Sequence, residues 1–167
     1  MTEQSGKTPT GLPSLRIRGE VYDWVQCIVA ALLICILVFV FLIRLIGVEG
    51  ISMQPTLQDG DRVFISNLFY TPEYGDIVVL QTSGFSKEPI IKRVIATEGQ
   101  VVEIDFSEGV VSVDGRALDE PYVNEPTYSQ LDFIGPMEVP EGHVFVMGDN
   151  RNHSNDSRDS RIGVIDE

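Results

Sequence analysis

PIIKRVIATEGQVVEIDFSEGVVSVDG, residues 89–115, decides what kind of fold this chain adopts. It holds three short runs rich in Val and Ile, Ile90–Thr97, Val101–Asp105 and Val110–Val113, separated by turn residues. Such runs fit a pleated, half-buried strand. Asp114-Gly115 tolerates the positive φ angles of a tight hairpin turn, and Glu98-Gly99 reads as a second hairpin turn. Working outward, the same pattern predicts strands over Arg62–Ser66, Asp76–Gln81 and His143–Met147. Asp119–Pro140 carries four prolines and no period, which predicts an extended loop or small extension. The fold class expected is mainly β.

One stretch departs from this pattern. Trp24–Ile43, WVQCIVAALLICILVFVFLI, is twenty residues without a charge, enough at about 1.5 Å per residue to cross a hydrocarbon layer of roughly 30 Å. A removable signal peptide has an apolar region of about 7–15 residues ending in a small-residue cleavage site. Here the run is longer and leads into Arg44-Leu45-Ile46, which predicts a retained transmembrane helix. Tyr22 and Trp24 suit one interface and Arg44 the other. Lys7, Arg16 and Arg18 precede the span, whereas residues 49–167 hold 8 Lys+Arg against 22 Asp+Glu. Basic flanks stay cytoplasmic, so the expectation is a single-pass cell-membrane protein with its N-terminus inside and its acidic domain on the extracytoplasmic side. Three segments follow: a flexible cytoplasmic tail at 1–19, the transmembrane helix and its flanks at 20–48, and a β domain at 49–167.

Composition excludes several functions. A net charge of −13 leaves no basic stripe for phosphates, so no nucleic-acid partner is expected. Cys27 and Cys35 both fall within the apolar span, which leaves residues 49–167 without a disulfide. No CxxC pattern occurs, and MGDNRNHSNDSRDSRIG at 147–163 lacks the spacing of a calcium loop. No metal and no cofactor are expected.

GISMQPTLQDGD, residues 50–61, places Ser52 nine residues beyond Ile43 with no histidine nearby. His143 alternates within a predicted strand, and His153 lies in a polar loop. A triad of Ser52, His153 and Asp149 or Asp156 is one route to a reactive serine. A second runs through Lys92. In a strand Ile90, Lys92 and Val94 share one face while Ile91, Arg93 and Ile95 share the other. A lysine between aliphatics is either a snorkelling edge residue or a desolvated amine. Desolvation disfavours the ammonium form, and a neutral amine can take a proton from a serine hydroxyl. The polar run at 147–163 follows an apolar strand and reads as a buried support, since Asp and Asn hold tight turns and Arg pairs bidentately with carboxylates.

A membrane anchor, then GISMQPTL with LQDGD, YGDIVVL, KRVIATEG and GDNRNHSNDSR in that order resembles the type I (leader) signal peptidases over about residues 22–165. These are membrane-bound Ser-Lys endopeptidases. The resemblance implies a signal-peptidase or repressor-peptidase-like antiparallel β domain. Ser52 matches the nucleophile and Lys92 the general base. Ser154 matches a serine that orients the lysine amine. Asp149, Arg93, Arg151, Asp156 and Arg158 match supporting positions, and Met53 matches a residue that lines the substrate site. The Ser52 amide would help form the oxyanion hole. The implied substrates are signal peptides of secreted preproteins cut after small residues. The lipid bilayer and the protein-export channel are the implied neighbours.

Departures accompany the resemblance. Gly50 replaces a serine that donates a second oxyanion bond in some members, which resembles the Gram-positive-type branch and leaves the second donor open. Ala96-Thr97-Glu98-Gly99-Gln100 differs from the family's usual GLPGD and reads as a tolerated hairpin change. The family normally continues past Gly163-Val164-Ile165 into a closing strand and a C-terminal tail, so the expectation is a short member, an incomplete chain or a version whose sheet is left unclosed. Leu68, Phe69 and Tyr70 either dip into the membrane interface or pack in the core. Two rivals remain: a self-cleaving repressor-type peptidase, which lacks an anchor and carries a DNA-binding domain, and a catalytically inactive, membrane-anchored binding domain.

Overall fold

The computed structural model describes residues 14–41, 44–66, 70–82, 85–86 and 88–166. The chain divides into two units between Arg44 and Leu45. The first contains α1, Ser14–Phe41. Pro13 immediately precedes it, and proline suits a helix start because no intrahelical donor is missed there. The final six residues of the segment read as a flexible tail are therefore helical. Within α1, Glu20–Leu37 is long and apolar enough to cross a membrane, and none of it is buried. Leu42 and Ile43, the end of the expected span, lie outside the described residues.

The second unit is built from strands. In chain order these are β1 Arg44–Gly47, β2 Arg62–Ile65, β3 Ile77–Leu80, β4 Ile90–Ala96, β5 Val101–Asp105, β6 Val110–Val113, β7 Arg116–Ala117, β8 Met137–Glu138, β9 His143–Met147 and β10 Ile165–Asp166. They form a β1-β2 ladder and two four-stranded sheets of order β10-β9-β4-β3 and β7-β6-β5-β8. The six strands read from sequence are present, each end within one residue of expectation. The unforeseen strands β7, β8 and β10 have only two residues, too few for a periodic pattern, and β1 falls in the segment read as the flank of the transmembrane helix.

Register assigns the faces. Lys92 pairs with Val78, Val94 with Val146, and Val144 with Ile165. Leu80, Val94, Val144 and Val146 therefore form one buried cluster, with Val78, Ile90 and Ile165 packed against it. By strand alternation Lys92 belongs to that face. The opposite face contributes Ile95, Ala96, Phe145 and Met147 to the main core with Val102, Val111 and Val113 of the second sheet. Pairing shifts between Val94–Val146 and Ala96–Phe145, a β-bulge that lets the successive residues Ile95 and Ala96 both enter this core.

Asp114-Gly115 turns β6 into β7 with φ of 51° and 72°, as its sequence requires. Glu98-Gly99 does not close a hairpin. β4 already has both edges filled, by β3 and β9, so the chain leaves it for the other sheet. Gly99 donates to the Val139 carbonyl at 2.8 Å, and Val139 donates back to Gln100 at 2.8 Å. The hairpin in this region joins β5 to β6, where the Asp105 carboxylate accepts from the amides of Ser107 and Glu108.

The proline-rich segment supplies β8 and two core residues, Phe133 and Val139. Phe133 meets Phe145 edge-on at 5.7 Å between centroids and Phe106 at 6.1 Å. Phe145 is fully buried between the sheets. Phe145→Ala should cost about 3–5 kcal/mol of stability in urea unfolding; a loss below about 1 kcal/mol would contradict this shared core.

Candidate active site

The Ser52 loop is short and tightly tied. Gly50 has φ of 86° and donates its amide to Asp59 Oδ1 at 2.8 Å. Gln54 N donates to Ile51 O at 3.1 Å, and Leu57 N to Met53 O at 3.0 Å. The loop is stitched to the segment after β9: Asn150 N donates to Ser52 O and Asn150 Nδ2 to Ile51 O, both at 3.0 Å. Gly148 makes this approach possible. A Cβ there would sit 2.5 Å from Ser52 O and 2.3 Å from Ser154 Oγ.

Lys92 arrives from the middle of β4. Its Nζ lies 2.9 Å from Ser52 Oγ and donates to the Ile91 carbonyl at 3.0 Å. The residue is 3% exposed, so the snorkelling alternative does not apply. Burial holds the amine below the ordinary lysine value of 10.5; the charge of Arg158 acts the same way, while Asp156 and Asp149 oppose it. Both carboxylates are already engaged by arginines.

Arg93, the next residue, takes the other face and a different chemistry. Its Nε and Nη2 fork the two Asp149 oxygens at 2.8 and 2.6 Å, and Nη1 donates to Gly75 O at 2.7 Å. The hydrogen bond to Asp149 raises the pKa of the guanidinium further, keeping it charged. Asp149 also accepts from Thr56 Oγ1 at 2.5 Å, which ties β4 and the end of β9 to the Ser52 loop. Behind this lies a second fork. Arg158 grips Asp156 at 2.8 Å through both Nε and Nη2, and Asp156 accepts from Gly148 N at 3.0 Å. Arg151 forks Glu120 and donates to Thr127 Oγ1 at 3.1 Å.

One residue behaves differently from expectation. Ser154 is buried beside Gly148, but its hydroxyl donates to Asn155 O at 3.4 Å, and no bond from it to the Lys92 amine occurs among the described residues. The strand's own Ile91 carbonyl occupies that role. Met53, expected to line the substrate site, is only 2% exposed. His153 is exposed on the 3₁₀ turn Arg151–His153, and Asp149 and Asp156 each face an arginine, so no serine–histidine–aspartate relay is assembled among the described residues. His143 bonds Glu141 O and Asp166 instead. Leu68 and Phe69 lie outside the described residues; Tyr70 stands half-exposed with its hydroxyl on Asp76 at 2.6 Å. No group of three or more metal-ligating side chains is positioned to hold an ion among the described residues.

Sequence reasoning missed Glu120 and Tyr122, both from the proline-rich segment. Tyr122 lies under the Arg93 guanidinium at 4.0 Å from ring centroid to Cζ. Nothing local marks either residue, because the arginines they meet, Arg151 and Arg93, lie about thirty residues away in the chain. Thr56 and its partner Asp149 each sit inside a quoted motif, but nothing in either motif pairs them.

Arg93→Met strands the fully buried Asp149 without a cation and should cost about 3–5 kcal/mol in urea unfolding. Arg161→Met removes the solvent-exposed partner of the buried Asp159, which keeps the Arg161 amide as a donor, and should cost clearly less than Arg93→Met. Equal effects would contradict the assignment of Arg93 to the frame.

Residues 21–167 match the family model described as signal peptidase, peptidase S26. Signal peptidase I of Bacillus licheniformis is 36% identical over 89% of this chain and 83% of its own length. A probable signal peptidase I-1 of Synechocystis is 40% identical over 80% of this chain and 70% of its own. A solved signal peptidase I from Enterococcus faecalis covers 58% of this chain and 91% of that chain at 29% identity, with a TM-score of 0.48. With a family match spanning both units and relatives above 30% identity over most of its length, the chain belongs to the signal peptidase family, peptidase S26.

Proposed function

We propose that this chain is a type I signal peptidase, a membrane-anchored serine endopeptidase that removes signal peptides from exported preproteins. The observation that carries the catalytic reading is the 2.9 Å approach of the buried Lys92 amine to Ser52 Oγ. In this mechanism the neutral amine accepts the Ser52 proton as Oγ attacks the scissile carbonyl carbon. The Ser52 amide donates to the developing oxyanion. Gly50 brings no hydroxyl, and its amide is occupied by Asp59. The ammonium then protonates the leaving amine, and the same nitrogen activates the water that hydrolyses the acyl-enzyme.

Asp149, Arg93, Asp156 and Arg158 act as the frame, with Ser154 packed against Gly148, and Met53 lines the substrate site. Shallow pockets would admit small side chains before the cut by clashing with larger ones. We assign α1 as a membrane anchor with the N-terminus cytoplasmic and residues 49–167 on the extracytoplasmic side, next to the bilayer and the export channel. Tethering raises the effective concentration of membrane-held substrate at the site. An inactive binding domain is the weaker reading: burying a lysine amine against a serine costs stability, and mere binding gains nothing from it.

Cleavage of a model preprotein should fall by on the order of a thousandfold or more in Ser52→Ala and in Lys92→Ala, with both variants folded. Near-native processing by either variant would remove the dyad. The rate should also rise with pH through the Lys92 pKa, on an acid limb below 10.5. The stability sign follows. Folding disfavours the ammonium, so wild type gains stability as pH rises from the lowered Lys92 pKa towards 10.5. Lys92→Met should be the more stable protein below that window, with the gap closing across it. A pH-independent difference would contradict a buried, proton-releasing amine.

A further inference from the structure

Glu120 and Tyr122 belong to the proline-rich segment, far in sequence from the reacting pair. The Tyr122 ring nevertheless lies between two buried cations, 4.0 Å from Arg93 Cζ and 6.0 Å from Arg151 Cζ. Its hydroxyl donates to Glu120 Oε1 at 3.0 Å, and Tyr74 donates to it at 3.4 Å. Glu120 in turn is forked by Arg151. The ring is thus clamped at its rim and pressed on the open face of the guanidinium that holds Asp149.

The connections onward are short. Arg93 adjoins Lys92 in β4 and forks Asp149. Asp149 accepts from Thr56, four residues beyond Ser52. The nucleophile and the amine are therefore referenced to one ion pair, and the ring is what shields the guanidinium face of that pair. A guanidinium over an aromatic face is attracted to the ring, more strongly as water is excluded. Without the ring, water reaches Arg93, the fork loosens, and Thr56 loses a fixed acceptor.

We propose that Tyr122 is a positioning residue for the Ser52–Lys92 pair, acting through the stacked Arg93 guanidinium and the Asp149–Thr56 bond. This rests on the dyad reading above. Tyr122 itself touches neither reacting atom. Burial, the bond to Tyr74 and the charge of Glu120 push its phenol pKa upward, so it does not titrate in the working range. The charged groups acting on Lys92 are Asp156, Arg158 and Asp149, and Arg93 neutralises the last of these. Loosening Arg93 lets Asp149 favour the ammonium more strongly.

The test uses the full chain in detergent and a model preprotein, with kcat expressed per folded molecule from near-ultraviolet circular dichroism. Tyr122→Leu should lower kcat by about 10- to 100-fold, as a misplacement of about 1 Å does, with KM within about twofold. Its acid limb should move to higher pH. Tyr122→Phe keeps the ring and should restore kcat and the limb to near wild type. Thr56→Val, which cuts the connection at its far end, should reproduce the kcat loss. A Tyr122→Leu enzyme with wild-type kcat and an unmoved acid limb would overturn the proposal, as would Tyr122→Phe failing like Tyr122→Leu. Ser52→Ala and Lys92→Ala run alongside separate the two ideas: activity in either removes the dyad, whereas inactivity of both with a normal Tyr122→Leu removes only the role of Tyr122.

Discussion

Two neighbouring cations on one strand receive opposite treatment, and the rest of the site depends on that difference. Lys92 is buried with its amine on a hydroxyl and a carbonyl. Arg93 is buried with a carboxylate fork. A guanidinium stays charged in any surroundings, so it demands an acid; an amine can shed its proton and so can be buried without one. Strand alternation sends the pair to opposite faces and prevents Asp149 from serving both. The protein gains a fixed positive pivot and a depressed amine from consecutive residues.

Around that pivot, the Asp149 and Asp156 carboxylates each have a dedicated arginine, and each also accepts a further bond, from Thr56 and from the Gly148 amide. Buried ion pairs contribute little net stability, because desolvation offsets attraction, but breaking one is costly. Their value here is geometric. They fix the turn after β9, and Gly148 lets the Ser52 carbonyl lie against that turn. The frame therefore resists relaxation even though the amine it surrounds favours a different environment.

The cores show a matching division. One face of the β10-β9-β4-β3 sheet merges with the second sheet through Ile95, Ala96, Phe145 and Met147. The Lys92 face carries a smaller cluster around Val94, Val144 and Val146. A desolvated amine needs apolar neighbours, and a substrate needs access. A small cluster on the face away from the main core is compatible with both.

The six longer-patterned strands and the apolar helix were legible from residues alone, because alternation and charge-free length are local properties; the residues offered Lys92 as one of two routes to a reactive Ser52, and the resemblance chose between them. Asp114-Gly115 was legible too, since its φ angles select its residues. Glu98-Gly99 looked the same and behaved otherwise: both edges of β4 were taken, a fact that no dipeptide encodes. The exchange of the expected Ser154 contact for the Ile91 carbonyl, and the stacking of Tyr122 on Arg93, were likewise decided by tertiary packing. Periodicity states which face a side chain takes. Only the folded chain states what it meets there, because hydrogen-bond partners and stacking partners are set by distances between segments remote in sequence.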